Sequence, residues 1–257
     1  MQTVLFNDGK TIEWGKPDSF ATAAMSALSM SFPAGEDFFV EALKKSYVAL
    51  PNELKEKWKV EINRFCEEET KHSRAHVIHN KKNCSAFNLI DKWGPKATRR
   101  IAKMDDRDVR HYAAAVAATE HLTTVMGCWL LLNNHILENA PKETRALWIW
   151  HAIEEVGHRK VAIDVYRDLG GSEEWRIKWM RIIYTVTLID FIQQTLYNIW
   201  RMKGFFKLST WVNAYKILFG KGGIIRWSYP LFKAYGKKDY HINHHEELIN
   251  HCLQQVK

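Results

Sequence analysis

The sequence predicts an all-α protein: a four-helix bundle with extra helices at its C-terminal end. Three observations predict it. Apolar residues recur at steps of three and four through four long segments, as in helices that bury one face. Two of these segments carry a Glu-Glu-x-x-His cluster, Glu68-Glu69-Thr70-Lys71-His72 and Glu154-Glu155-Val156-Gly157-His158. The other two each carry a Glu in apolar surroundings, Glu36 lying 33 residues before Glu69 and Glu120 lying 35 before Glu155.

Taken in order, residues 1–30 read as an irregular N-terminal arm, with turn signals at Asp8-Gly9 and Lys16-Pro17. The bundle itself is expected over 31–205. Its first helix is expected over about 34–50, with Pro33 near its start and Glu36 in its first turn. A Glu there can simply favour the helix dipole; its offset from Glu69 argues for more. Pro51-Asn52 marks a turn into a helix over about 52–80. Its stripe runs Leu54, Trp58, Ile62, Phe65, Glu69, His72, His76, beginning apolar and becoming polar without changing face. His79 could extend the stripe, although a histidine at the helix end is the commoner arrangement. Residues 81–104, broken by Gly94-Pro95, read as a short helix and a long crossover. The third helix, about 106–139, places Ala113, Val116, Ala117, Glu120, Thr124 and Gly127 on one face, with His121 a quarter-turn away in a structural or supporting place. The fourth, about 141–169, ends at Gly170-Gly171 and carries Leu147, His151, Glu155, His158 and Ala162 inward.

A long apolar helix follows over about 173–203. Asp190, Gln193 and Gln194 interrupt it, so it lacks the unbroken apolar run of a membrane span. Packing on the bundle is the first expectation; a membrane-surface element anchored by Arg201-Met202-Lys203-Gly204-Phe205-Phe206-Lys207 is the sharper alternative. The remainder, 206–257, is an aromatic and basic helical appendage in which GKGGIIRW reads as a loop. His241, His244 and His245 form a surface cluster that is not counted as a second metal site.

Composition sets further bounds. A chain of 257 residues with 46% hydrophobic residues can bury a substantial core. The four cysteines form no CxxC pair, which suits a reducing, cytoplasmic setting rather than a disulfide scaffold or zinc finger. The N-terminal residues lack the apolar run of a secretory signal. A net charge of +8 permits an acidic partner such as a membrane surface, but no nucleic-acid motif is present and nucleic acid is not expected.

The order Glu, E-x-x-H, Glu, E-x-x-H is how a four-helix bundle supplies ligands to two metal ions. In that arrangement Glu69 and Glu155 bridge, His72 and His158 are terminal nitrogen ligands, and Glu36 and Glu120 are terminal carboxylates. Such donors suit iron first, with manganese or zinc as alternatives. His76 and His151 lie one turn from this set, as a third nitrogen ligand or in proton transfer beside the substrate; the latter is preferred. Glu68 and Glu154 are placed to hold the histidine of the opposite motif, or else face solvent.

The pattern resembles the ferritin-like di-iron carboxylate superfamily. More narrowly, the chain is similar to a bacterial family of predicted metal-dependent hydrolases. The matching stretches are Phe32-Pro33-Ala34-Gly35-Glu36-Asp37-Phe38-Phe39, Glu69-Thr70-Lys71-His72-Ser73-Arg74-Ala75-His76, Glu120-His121-Leu122-Thr123 and Trp150-His151-Ala152-Ile153-Glu154-Glu155-Val156-Gly157-His158 with the following Arg159-Lys160-Val161-Ala162. The resemblance spans roughly 30–205, with a weaker echo in Tyr229-Pro230 and the histidines after it. Glu68 departs from it, standing where Gln is expected. The superfamily implies a ferritin-like bundle. The first functional expectation is an oxygen-activating di-iron oxidase or oxygenase acting on a small, largely apolar molecule with an electron donor, because the ligand set leaves open metal positions amid aromatic and apolar residues. A hydrolase using a metal-bridging hydroxide, the activity in the narrower family's description, is the second expectation. A non-enzymatic metal-binding protein is the third expectation. A homodimer and a peripheral membrane contact are compatible with all three.

Overall fold

The computed structural model describes residues 19–104, 107–241, 243 and 246–254. Among the described residues every regular element is helical. The α-helices are α1 (Ser19–Ala49), α2 (Asn52–Phe87), α3 (Trp93–Ile101), α4 (Val109–Leu132), α5 (Lys142–His158), α6 (Val161–Asp168), α7 (Glu173–Arg201), α8 (Leu208–Phe219), α9 (Ile224–Tyr235) and α10 (Glu246–Gln254).

Helices α1, α2, α4 and α5–α6 lie around a common interior. Phe38 and Leu43 of α1, Trp58 and Phe65 of α2, Ala113–Ala117 of α4 and Val165 of α6 meet there. α4 is long and apolar enough to cross a membrane by length and composition, but it runs mostly buried through the protein. Its alanines and Gly127 let neighbours approach closely. A Cβ on Gly127 would stand 3.1 Å from the Ala152 carbonyl oxygen of α5. α7 packs on α1 and α4, α3 and α8 on α1, and α9 and α10 on α4.

Several expectations change. Residues 19–30, expected in an irregular arm, are helical, and Pro33 sits inside α1. Proline removes the N–H that would bond the Ser29 carbonyl four residues back. Asn80 of α2 replaces it, its Nδ2 donating to Ser29 O at 2.8 Å. Glu36 therefore lies mid-helix, away from any N-terminal dipole. α2 continues to Phe87, so His79 is a buried interior residue rather than a helix end. The fourth expected helix breaks at Arg159-Lys160, directly after His158, into α5 and α6. In GKGGIIRW only the glycine-rich part is a turn; Ile224 opens α9. His244 and His245 lie outside the described residues, and His241 is exposed.

The polar residues that interrupt α7 tie the crossover to it. Arg100 pairs with buried Asp190. Gln194 accepts from Lys92 N at 2.9 Å and donates to Ile90 O at 3.0 Å. Lys96 Nζ donates to Gln193 Oε1. Buried polar groups are tolerable when paired in this way.

Candidate metal centre

Glu36 of α1, Glu69, His72 and His76 of α2, Glu120 of α4, and His151, Glu155 and His158 of α5 are all buried. Helical periodicity carries each E-x-x-H pair inward on one face. The contacts Glu68–His158, Glu154–His72 and His76–His151 run in opposite chain directions, so α2 and α5 are antiparallel here.

The two motifs hold one another. His72 Nε2 lies 2.9 Å from Glu154 Oε2, and His158 Nε2 lies 2.9 Å from Glu68 Oε2. With Nε2 donating outward, each Nδ1 faces the centre. His72 Nδ1 is 3.4 Å from Glu155 and 3.7 Å from Glu69. His158 Nδ1 is 2.6 Å from Glu69 Oε1. Burial opposes charge on both rings, yet the surrounding acids hold both imidazoles well above their ordinary range.

The inward carboxylates are short of hydrogen bonds. Both oxygens of Glu36, Glu69 and Glu120, and Oε2 of Glu155, are buried and accept no hydrogen bond. Burial, reinforced by neighbouring carboxylates, pushes the Glu36 and Glu120 carboxyls well above the usual range. Burying acids with so few hydrogen bonds is costly; cations bound among them would offset the cost. Two groups of four, Glu36–His72–His151–Glu155 and Glu69–His72–Glu155–His158, each have donor atoms within 4.8 Å of one another. The buried cluster could therefore hold two metal ions. Glu120 stands outside both groups of four, beside Glu155 and Glu69, whose charges act on it.

A second buried chain leads from this centre. Ser29 Oγ donates to Asn80 Oδ1 at 2.6 Å and lies 2.7 Å from His76 Nδ1. His76 Nε2 lies 2.6 Å from His151 Nδ1, and His151 Nε2 lies 2.9 Å from Glu155 Oε1 and 3.6 Å from Glu36 Oε1. Its direction follows from one group. Asn80 must present its amide nitrogen to the Ser29 carbonyl, so its oxygen takes the Ser29 hydroxyl proton. Ser29 Oγ can then only accept from His76 Nδ1–H. His76 Nε2 in turn accepts from His151 Nδ1–H. His151 then presents its Nε2 to the Glu155 and Glu36 carboxyl groups. Burial first, then neighbouring histidines, keep both rings below their ordinary range.

Ser29 and Asn80 are not among the residues expected at the site. They stand 51 positions apart and meet only through α1–α2 packing; the one trace in the chain is Pro33, which frees the Ser29 carbonyl. His121 points elsewhere, 2.5 Å from the Tyr184 hydroxyl and stacked on Tyr235. His79 accepts from Asn83 Nδ2 at 2.9 Å.

A cavity of about 420 Å³ opens beside Glu36. Phe32, Phe39, Leu122, Met126, Trp179 and Ile183 wall it, and Arg100, Lys103, Arg107 and Lys178 stand among its lining residues. A smaller cavity of about 70 Å³ shares Phe32 and Met126 with it and reaches His151 and Glu155.

No curated protein and no solved structure matches the chain. A family model does, over residues 3–246, wider than the 30–205 of the sequence resemblance. With that match covering nearly the whole chain and a buried His/Glu cluster inside it, this chain belongs to the predicted metal-dependent hydrolase family.

Proposed function

We propose that this chain is a metal-dependent hydrolase holding two divalent ions through Glu36, Glu69, His72, Glu120, Glu155 and His158. One observation carries the reading: buried carboxylates from all four bundle helices converge with no hydrogen bond to most of their oxygens. Bound ions would supply an activated water and polarise a carbonyl or phosphoryl oxygen. Glu68 and Glu154 orient His158 and His72 from outside. His151 adds a third nitrogen donor, because its Nε2 stands with Glu36, His72 and Glu155 in one group of converging donor atoms. His76, Ser29 and Asn80 hold that ring in place. The ligand order along the chain supports a ferritin-like bundle.

The cavity beside Glu36 lies within the roughly 300–1,000 Å³ range of small-molecule sites. Its apolar walls fit a substrate with an apolar body, and Lys103, Arg107 and Lys178 at its lining fit an acidic group on that substrate; Arg100 is taken up by Asp190. Cytoplasmic residence suits the four free cysteines.

An oxygen-activating di-iron oxidase is the second reading. Four carboxylates with two imidazoles, the donor set of di-iron bundles, favour it. Metal content of protein purified without added metal, followed by two assays, tests both. About two ions per chain are expected, lost on Glu69→Ala. Ester or phosphoester cleavage by the zinc- or manganese-loaded protein without oxygen supports hydrolysis. Oxygen consumption tied to reduced iron, with no such cleavage, supports the oxidase. Metal content unchanged by Glu69→Ala refutes both.

A further inference from the structure

From Phe191 to Lys238 the chain contains no Asp or Glu but nine Lys or Arg residues. This run covers the end of α7, all of α8 and all of α9. Helix packing leaves a second apolar face uncovered in the same region. On α7, Leu188, Ile192, Leu196 and Trp200 recur at steps of four and are all exposed, with Ile189 beside them. On α8, Leu208, Trp211, Val212, Tyr215 and Phe219 recur at steps of three and four and are exposed too. Each stripe is the outward counterpart of a buried one: Asp190, Gln194 and Asn198 on α7, Thr210 and Ala214 on α8. The turn joining the helices adds Phe206, 95% exposed, between Lys203 and Lys207.

An apolar surface of this extent marks an interaction site. We infer that the outward faces of α7 and α8, with the Lys203–Lys207 turn, form a docking surface for an anionic lipid bilayer. Two amphipathic helices with aromatic and aliphatic stripes and basic surroundings have the make-up of elements that lie in a membrane interface. The charge selects the occupant. A second copy of this face would bring another acid-free basic run against the first, and like charges oppose such pairing. Nucleic acid would use the cations and stack on the aromatics, but Leu188, Ile189, Ile192 and Leu196 offer it nothing to stack on. A bilayer takes both: acyl chains meet the stripes and anionic headgroups meet the cations. Ile182, exposed and part of the wall of the large cavity, lies seven residues from Ile189 and fourteen from Leu196 on the same side of α7. The cavity thus borders the face, a suitable arrangement for an apolar substrate arriving from lipid. The inference does not rest on the metal reading.

Sedimentation of the full chain with vesicles tests it, comparing phosphatidylcholine alone with equal parts phosphatidylcholine and phosphatidylglycerol. Binding to the anionic vesicles and not to the neutral ones is expected. Each cation near such a surface contributes about fivefold, so Lys203→Glu with Lys207→Glu is expected to weaken binding at least about 25-fold. Phe206→Ser with Trp211→Ser is expected to weaken it as well. Both pairs are compared with wild type for metal content and melting temperature, so loss of binding is not confused with loss of fold. Failure to bind anionic vesicles overturns the inference, whether or not RNA binds instead. Binding unaffected by Phe206→Ser with Trp211→Ser also overturns it. So does a dimer, seen by light scattering, that those two changes dissolve.

Discussion

Replacing Glu154 is expected to loosen the metal centre without unfolding the protein. Glu154 Oε2 accepts from His72 Nε2 at 2.9 Å, and that bond leaves Nδ1 as the free donor toward the centre. Losing such an outer partner typically costs ten- to hundredfold in metal affinity, or about 1.4–2.7 kcal/mol. The bond is charge-assisted, so Glu154→Gln, which keeps an acceptor oxygen, is expected near the lower figure and Glu154→Ala near the upper. Glu68→Gln acts on His158 across an equal distance and is expected to cost about as much. The two histidines share Glu69, and their ring centroids lie 5.7 Å apart, so the combined effect is expected to depart from additivity. Glu67→Gln is the control, because Glu67 neighbours Glu68 but is exposed. Competition against a chelator of known affinity measures all five variants. An affinity for Glu154→Ala within about threefold of the Glu67→Gln control would show that Glu154 does not orient a ligand, and the reasoning would fail.

Other perturbations reach different parts of the same argument. In metal-free protein, Glu120→Gln is expected to raise stability by about 1–2 kcal/mol, since it removes an ionisable group from among buried acids. The same change is expected to abolish the rise in melting temperature on adding metal; lower metal-free stability would contradict it. Gly127→Ala places a Cβ 3.1 Å from the Ala152 carbonyl; denaturant unfolding is expected to show a loss of about 1–3 kcal/mol, with weaker metal retention as α4 and α5 separate. His79 is held neutral mainly by burial and titrates at about 4 rather than 6.5. The unfolded chain therefore binds the extra proton first, and stability present above pH 6.5 falls as the pH drops toward 4, by up to about 3 kcal/mol. With metal removed by chelator, His79→Gln is expected to flatten that part of the stability–pH curve; an unchanged slope would refute the assignment.

Much of the centre was legible in the chain because helical periodicity is local. The stripe from Trp58 through Glu69, His72 and His76 is buried along its length, as its spacing implies. The same holds for Leu147, His151, Glu155 and His158, and for Ala113 through Gly127 around Glu120. The rule that a metal-bound histidine donates its outer N–H to a carboxylate pointed to Glu68 and Glu154, and each lies 2.9 Å from the Nε2 of the opposite motif's histidine. The start of α1 was not legible, because proline rules place Pro33 at a helix start. Asn80 supplies the missing partner for the Ser29 carbonyl, and no local pattern reveals a partner 51 residues away.

Periodicity alone thus determined which residues share a helix face and so which acids and histidines could meet. Tertiary packing decided the rest. It set the direction of the Ser29–His76–His151 chain, because hydrogen-bond polarity depends on partners from three helices. It buried His79 inside an extended α2. It also decided which stripe of α7 is covered. That helix carries apolar residues on more than one side, and its contacts with α1, α3, α4 and the crossover determine which of them remain exposed.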